Sequence, residues 1–174
     1  MILREASKRD AAAIANLHAD SWRSAYRGIL SDDYLANRVH AERVALWHDR
    51  FSANAAKPMF VILAETKSVL EGFACVFPHE DPTFGSFLDN LHVAPSRTGQ
   101  GIGKLLLCEA ARRLPNSGKV GGLYLWVIEQ NKRARQFYAR AGAAEVETKV
   151  LPMPDGGRHP EVRCYWPDPA KLLL

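Results

Sequence analysis

The chain has 174 residues, 47% of them hydrophobic and 24% charged, with a formal net charge of +4. That make-up suits one ordinary globular domain spanning 1–174 and excludes a disordered or collagen-like chain; no apolar run is long enough to cross a bilayer. The surplus of cations is too small and too scattered for a nucleic-acid partner, yet it suits a small polyanion.

The first residues, MILREASKRD, lack the apolar stretch of a signal peptide, so a cytoplasmic location is expected. Residues 2–6 read as a strand. Ser7, with Asp10 three residues on, caps a helix over 8–24 whose inner face carries Ala12, Ile14, Ala15, Leu17, His18, Ser21, Trp22 and Ala25. Gly28 ends it. Ser31-Asp32-Asp33 opens a short second helix, and 41–51 is a third, packing Val44, Leu46, Trp47 and Phe51. Trp22, Tyr26 and Trp47 are aromatics at helical spacing, whose ordinary place is the core. Residues 59–65 and 68–77 are strands joined by a hairpin at Thr66-Lys67. Residues 78–82 are a loop, and 84–93 is the next strand.

Next comes LDNLHVAPSRTGQGIGKLLLCEAARRL, residues 88–114. Pro95 stops the strand, and Gly99, Gly101 and Gly103 open a helix with its apolar face on Ile102, Leu105, Leu106, Ala110 and Leu114. Unpaired N–H groups at a helix start, without Cβ atoms in the way, make a cradle for an anion, phosphate above all. Two common cradles fail on spacing. Lys104 or Leu106 stands where a dinucleotide fingerprint needs its third glycine. Thr98 and Leu105 break the P-loop pattern at both ends. Residues 115–118 are a stop, 120–128 a strand with Leu123, Leu125 and Val127 on one face, and Asn131 starts a helix that Gly142 ends. Two last strands, 143–151 and 158–166, are joined by a turn at 154–157, and the tail from Pro167 reads as loosely held. The order β-α-α-β-β-β-α-β-α-β-β predicts a mixed α/β domain, a largely antiparallel central sheet flanked by helices.

Leu91, Val93 and Pro95 followed by Gly99, Gly101 and Gly103 resemble the acetyl-CoA-binding core of the GNAT superfamily of N-acetyltransferases. The family's Arg/Gln-x-x-Gly-x-Gly/Ala begins here with Thr98, and the arginine stands one residue early, at Arg97. A second segment, Asn131, Ala134, Phe137, Tyr138 and Gly142, is similar to the family's Asn-x-x-Ala-x-x-x-Tyr…Gly. The resemblance covers nearly the whole chain and is strongest over 88–142. It implies acetyl-CoA as cosubstrate, its pyrophosphate on the N–H groups of Thr98, Gly99, Gln100, Gly101, Ile102, Gly103 and Lys104. Its thioester carbonyl would take a main-chain N–H from Leu91 to Val93, Val93 first. Asn131 would hold the pantetheine arm beside Ala134, and Tyr138 would protonate the departing thiolate. The family's first two helices wall the acceptor pocket, so Trp22 and Tyr26 divide evenly between core and pocket, while Trp47 stays core. Arg97, Lys104, Arg133 and Arg135 are candidates for the phosphates of the cofactor. Dimers are frequent in the family, so the resemblance allows a homodimer.

The chemistry needs a neutral amine. Deprotonating a lysine-like amine at pH 7 costs about 4–5 kcal/mol, so a base or a water chain must take a proton. Asp89, an acid in mid-strand with the parity of Leu91 and Val93 if no bulge intervenes, ranks first; His92, with an ordinary pKa near neutrality, ranks second; a water wire is the equal alternative. Glu80 and Asp81, on a loop that could reach the pocket, read as solvated, and Glu129 faces solvent or caps the next helix. His159 and Arg163, near the last hairpin, are further candidates for the acceptor pocket. Cys108 lies in the central helix pattern, which disfavours an acetyl-cysteine step and implies direct transfer in a ternary complex. Cys75, Cys108 and Cys164 read as reduced thiols, and the scattered His and Cys give no metal spacing. The expected acceptor is a small-molecule amine. Peptide acetylation and a non-catalytic CoA-binding module are the rivals; an open acidic groove would favour the first.

Overall fold

The run Val61-Ile62-Leu63-Ala64 has no polar face because helices cover both sides of its sheet. Val61 and Leu63 enter one core while Ile62 and Ala64 enter the other. The computed structural model describes residues 1–52, 57–114 and 121–174. Their strands are β1 (Ile2–Glu5), β2 (Phe60–Thr66), β3 (Val69–Asp81), β4 (Gly85–Val93), β5 (Leu123–Ile128), β6 (Ala144–Pro152) and β7 (Arg158–Trp166). They form one mixed sheet in the order β1-β2-β3-β4-β5-β7-β6. All neighbours are antiparallel except β4 and β5. The helices α1 (Ala11–Ala25) and α2 (Val39–Arg50) contribute Ile14, Ala15, Leu17 and Trp47 to the core against Phe73 and Cys75. On the opposite face α3 (Ile102–Arg112) and α4 (Lys132–Arg140) contribute Ile102, Leu106 and Tyr138 against Leu88, Leu125 and Val162. The mixed, largely antiparallel α/β architecture is the one the element order predicts.

Local chemistry fixes the ends of these elements. Lys67 and Ser68 both take positive φ, 50° and 63°, the handedness that lets a two-residue turn follow the twist of β2 and β3. The Asp10 carboxylate accepts from the N–H and hydroxyl of Ser7, at 2.7 and 3.0 Å, which starts a short 3-10 turn ahead of α1. Arg4 bridges that carboxylate to Glu65, each contact at 2.7 Å, and so fastens β1, β2 and the helix start together.

The structure departs from the sequence pattern at several points. The two expected helices between Ser31 and Phe51 are one run. Asp32 and Asp33 are already helical, Tyr34–Arg38 form a π turn, and α2 continues directly. The buried side of α2 is Val39, Arg43 and Trp47, whereas Val44 points to solvent. Ala12 and Ala25 are exposed, and Ala19 is buried in their stead. The loop expected at 78–82 is mostly strand, because β3 runs on to Asp81 through a positive φ at His79. The tail is held: Leu172 is buried, and its carbonyl accepts from the Cys108 thiol on α3 at 3.0 Å. The turn expected at 115–118 and the strand start at Val120 lie outside the described residues. Among those residues no helix is long and apolar enough to cross a membrane.

Leu105 and Leu106 give the sharpest contrast, since the periodicity puts both on the apolar face while the fold leaves Leu105 42% exposed and Leu106 fully buried. Leu106→Ala is expected to cost about 2–5 kcal/mol by transfer and cavity terms, and Leu105→Ala about 0.5 kcal/mol. Urea unfolding of the two variants, read at the midpoint, checks the difference.

Candidate active site

The site begins where two strands part. β4 and β5 pair only at Ser86–Leu123 and Phe87–Tyr124. Contact there is close: Gly85 holds φ +84°, and a Cβ on it would lie 2.3 Å from the Gly122 carbonyl oxygen. Beyond Phe87, β4 follows β3 instead, with a bulge at Asp89: Val76 pairs with Leu88 and Cys75 with Asn90. This bulge removes the simple parity between Asp89 and Leu91. Leu88, Leu91 and Val93 pack toward α3, whereas Asp89 and Asn90 meet Arg50 of α2. The Ala94 N–H donates to Glu71 at 2.8 Å, which makes Gly72–Val93 the wide kind of antiparallel pair. The N–H groups of Val93 and Leu91 therefore point away from β3, into the gap left by β5.

A glycine-rich turn closes one end of the gap. After the 3-10 turn Pro95–Arg97, the Thr98 hydroxyl donates to the Pro95 carbonyl at 3.0 Å, and Gly99 and Gly101 take φ +80° and +83°. A Cβ on either would meet nothing within 4 Å. The glycines are needed for their backbone angle and leave open space over the unpaired N–H groups at the start of α3. Gly103 serves differently, because a Cβ there would lie 3.4 Å from Phe137 of α4. It sets how closely α3 and α4 approach.

The gap is a cavity of about 570 Å³. Leu91, Val93, Thr98, Gly99, Gly101 and Gly103 line one wall, and Asn131, Ala134, Phe137 and Tyr138 the other. Lys104, Arg97, Arg133 and Arg140 add cations. Asn131 caps α4 by accepting from the Ala134 N–H at 3.2 Å, so its carbonyl is used and its amide N–H₂ group remains for the cavity. Tyr138 is nearly buried, edge-on to Trp166 and Phe137, and its hydroxyl has no protein partner among the described residues. Burial raises its pKa, so the phenol stays protonated.

A second cavity of about 250 Å³ adjoins the first, and the two share Tyr26, Asp89, His92 and Trp126. Its walls are largely aromatic and aliphatic: Trp22, Phe87, Leu46, Ile128 and Met153. It also holds two arginines, Arg43 and Arg50, and two carboxylates, Asp89 and Glu161. Asp89 Oδ2 stands 2.6 Å from Arg50 Nη2, off the hydrogen-bond direction, and Arg50 Nη1 donates to Asn90 at 2.8 Å. Burial raises the pKa of Glu161.

Most of the residues singled out in the sequence meet here, and some do not. Gln100 is exposed and does not line the cavity; Ile102 lines it from a side chain buried in the core. Arg135 turns to the other side of α4 and pairs with Glu145 at 2.7 Å, while Arg140 of the same helix takes a place at the cavity. Arg97 reaches the cavity but is tied to the buried Glu71 at 3.1 Å. His159 bonds Asp155, and Arg163 stacks on Phe84 and Trp126 beside Glu147; neither lines these two cavities. Arg43 and Glu161 are functional candidates that sequence reading misses. The signal for Glu161 is its pairing with Ile128, which puts both side chains on one face. Among the described residues no cluster could hold a metal ion.

This chain matches the model of the Acetyltransferase (GNAT) family over residues 13–143. It is 33% identical over 174 residues to the uncharacterized N-acetyltransferase YuaI of Bacillus subtilis, covering 98% of this chain and 95% of that one. Among solved structures, the PaiA N-acetyltransferase of Thermoplasma acidophilum, in complex with coenzyme A, superposes with a TM-score of 0.67. It has 23% identity and covers 92% of this chain and 96% of the other. The spermidine N-acetyltransferase SpeG of Vibrio cholerae gives 0.66 at 20% identity, over 99% and 98%.

Two imidazoles lie under the junction of the cavities. His18 is fully buried; its Nδ1 accepts from Trp47 Nε1 at 3.1 Å, which places its proton on Nε2, where it finds no partner. The His92 ring lies 4.5 Å away and shares a hydrogen bond with Ser21 at 2.9 Å. Burial, then the Arg43 charge, lowers His92 to about 3 even though one edge opens on the cleft. Burial, then His92, takes His18 well below its usual value. Both rings are thus neutral in the folded protein near pH 6, whereas the unfolded chain protonates them below about 6.5. More protons bound in the unfolded state means that stability falls as pH drops from 6.5 toward 5, by up to about 1.4 kcal/mol per pH unit for each ring. Urea unfolding at a series of pH values should show that slope, and His92→Gln should make it shallower.

Proposed function

The chain belongs to the GNAT family and is an N-acetyltransferase, and we propose that it moves the acetyl group of acetyl-CoA directly onto a primary amine of a small molecule seated in the 250 Å³ cavity. The observation that carries this reading is the junction. The free N–H of Val93 and the Tyr138 hydroxyl face the long cavity, and that cavity meets the aromatic one at Tyr26, Asp89, His92 and Trp126.

The residues present fit the cosubstrate. Open space over unpaired N–H groups at Gly99 and Gly101, with Lys104, Arg133 and Arg140 around it, suits a pyrophosphate and a further phosphate. The amide N–H₂ of Asn131, which lines the long cavity, would hold the pantetheine arm. Acetyl-CoA supplies the thioester whose carbon is attacked. The Val93 N–H donates to the carbonyl oxygen as charge builds on it. The amine nitrogen bonds the acetyl carbon as that carbon's bond to sulfur breaks. Of the two protons the ammonium gives up, one leaves to solvent and one ends on the thiol through Tyr138. The Tyr138 hydroxyl is a suitable donor because its raised pKa keeps it protonated until a thiolate forms beside it.

The route of the first proton depends on which bases are free. Asp89 is held by Arg50, which disfavours taking a proton, and neutral His92 gives a conjugate acid too strong to relieve an ammonium readily. Glu161 makes no ion pair among the described residues and burial raises its pKa, so it is the carboxylate best suited to the task, directly or through water. The acceptor cavity is small, aromatic and balanced in charge instead of being an open acidic groove, which favours a small amine over a basic peptide.

Acetyl-CoA or CoA at about 100 times its dissociation constant is expected to raise the melting midpoint by about 5–10 °C, and ATP to leave it unchanged. No shift with acetyl-CoA would remove the cofactor assignment. Tyr138→Phe keeps the packing against Trp166 and loses only the hydroxyl. Thiol release should fall about 100-fold or more, with the acetyl-CoA shift retained. Unaltered turnover would take the acid role away from Tyr138.

A further inference from the structure

The acceptor cavity holds a charge that acetyl transfer does not use. Arg43 is 9% exposed, lines the cavity and stacks 4.4 Å over the Trp22 ring. Its guanidinium makes no hydrogen bond among the described residues, and its Nε is shut off from solvent without a partner. The nearest carboxylate, Glu42, is 3.8 Å away and already accepts from the Tyr34 hydroxyl at 2.8 Å and from Arg38 at 3.1 Å. Burying a cationic nitrogen without a hydrogen-bond partner is unfavourable unless something compensates, and a stacked indole compensates only in part. The other arginine of the cavity is satisfied by Asp89 and Asn90. After that pair is neutralised, one lone cation, Arg43, and one lone carboxylate, Glu161, remain. Both line the same 250 Å³ cavity, with Tyr26.

We propose that the acceptor is a small amino acid, its carboxylate received by Arg43 and its amine directed toward Glu161 and the junction of the two cavities. This rests on the acetyl-transfer reading above and names its substrate class. A guanidinium fork matches a carboxylate with two parallel hydrogen bonds, which a neutral acceptor cannot supply. The apolar walls, Phe87, Ile128 and Met153 among them, suit an uncharged side chain. A polyamine would bring a second positive charge toward Arg43 and be repelled.

The test is thiol release from acetyl-CoA with the proteinogenic amino acids, their methyl esters and spermidine. At least one acid should exceed its own ester about ten- to one-hundred-fold in kcat/KM, the worth of a hydrogen bond between charged groups. Arg43→Gln should erase that preference by raising KM for the acids to that for their esters, and Arg43→Lys should restore part of it; an acetyl-CoA melting shift retained in both variants shows that they fold. Esters or spermidine used as well as the acids by the unaltered protein would overturn the proposal without any variant. If no amine is turned over, melting of the CoA-bound protein with the same amino acids decides. Stabilisation that needs Arg43 would keep the carboxylate site while the acetyl-transfer reading fails, and no stabilisation by any acid would overturn it.

Discussion

The parting of β4 from β5 is the constraint on which the rest of the molecule depends. Two parallel pairs hold the strands together, and Gly85 and Gly122 let them approach there more closely than any side chain would allow. From Asp89 onward β4 keeps its bonds to β3 and gives up β5. Unpaired N–H groups in a protein interior cost about 1–3 kcal/mol each, so the gap can persist only where water or a ligand satisfies them. The cleft is therefore required by the sheet itself. Gly103 and Phe137 then bring the starts of α3 and α4 to its edges, where the N–H groups of one and the capping amide of the other meet the same space.

The smaller cavity is built around cations stacked on aromatic faces. Arg50 lies over Trp47 and Phe77 while clamping the bulge through Asp89 and Asn90. The bulge turns Asp89 toward α2, and that contact makes it a structural counter-ion before it can be a base. Arg43 lies over Trp22 two helical turns earlier on α2, with no such clamp. The same helix thus carries a satisfied arginine that shapes the strand and an unsatisfied one that faces the cavity. Burial and then the Arg43 charge keep His92 uncharged beneath the junction; burial, then His92 and the two arginines, do the same for His18.

Errors in reading the chain fall where a helical period meets more than one neighbour. Leu105 satisfies the amphipathic pattern of α3, yet the sheet covers Leu106 and Leu107 and stops short of it. Val44 satisfies the pattern of α2, but the buried line through Val39, Arg43 and Trp47 is set by where Trp22 and His18 lie. Hydrophobicity gives no reason to bury an arginine in preference to a valine. Only the ring waiting above it does. The tail looks loose in sequence because its partner, Cys108 on α3, is 64 residues away.

The strand and helix order, the glycine turn after Pro95 and the family to which the chain belongs were all determined by the sequence. Those properties are local: β-branched runs, a proline stop, positive-φ glycines and an Asn cap act over a few residues. Tyr138 and Val93 could be named for the same reason, since each sits in a short motif. What only the tertiary structure decided is which charges share a space. Arg43 from α2 and Glu161 from β7 face one cavity, Arg135 turns away while Arg140 turns in, and Asp89 is taken by Arg50. These outcomes follow from strand register and helix rotation, quantities that no single segment carries and that appear only when packing fixes the elements against one another.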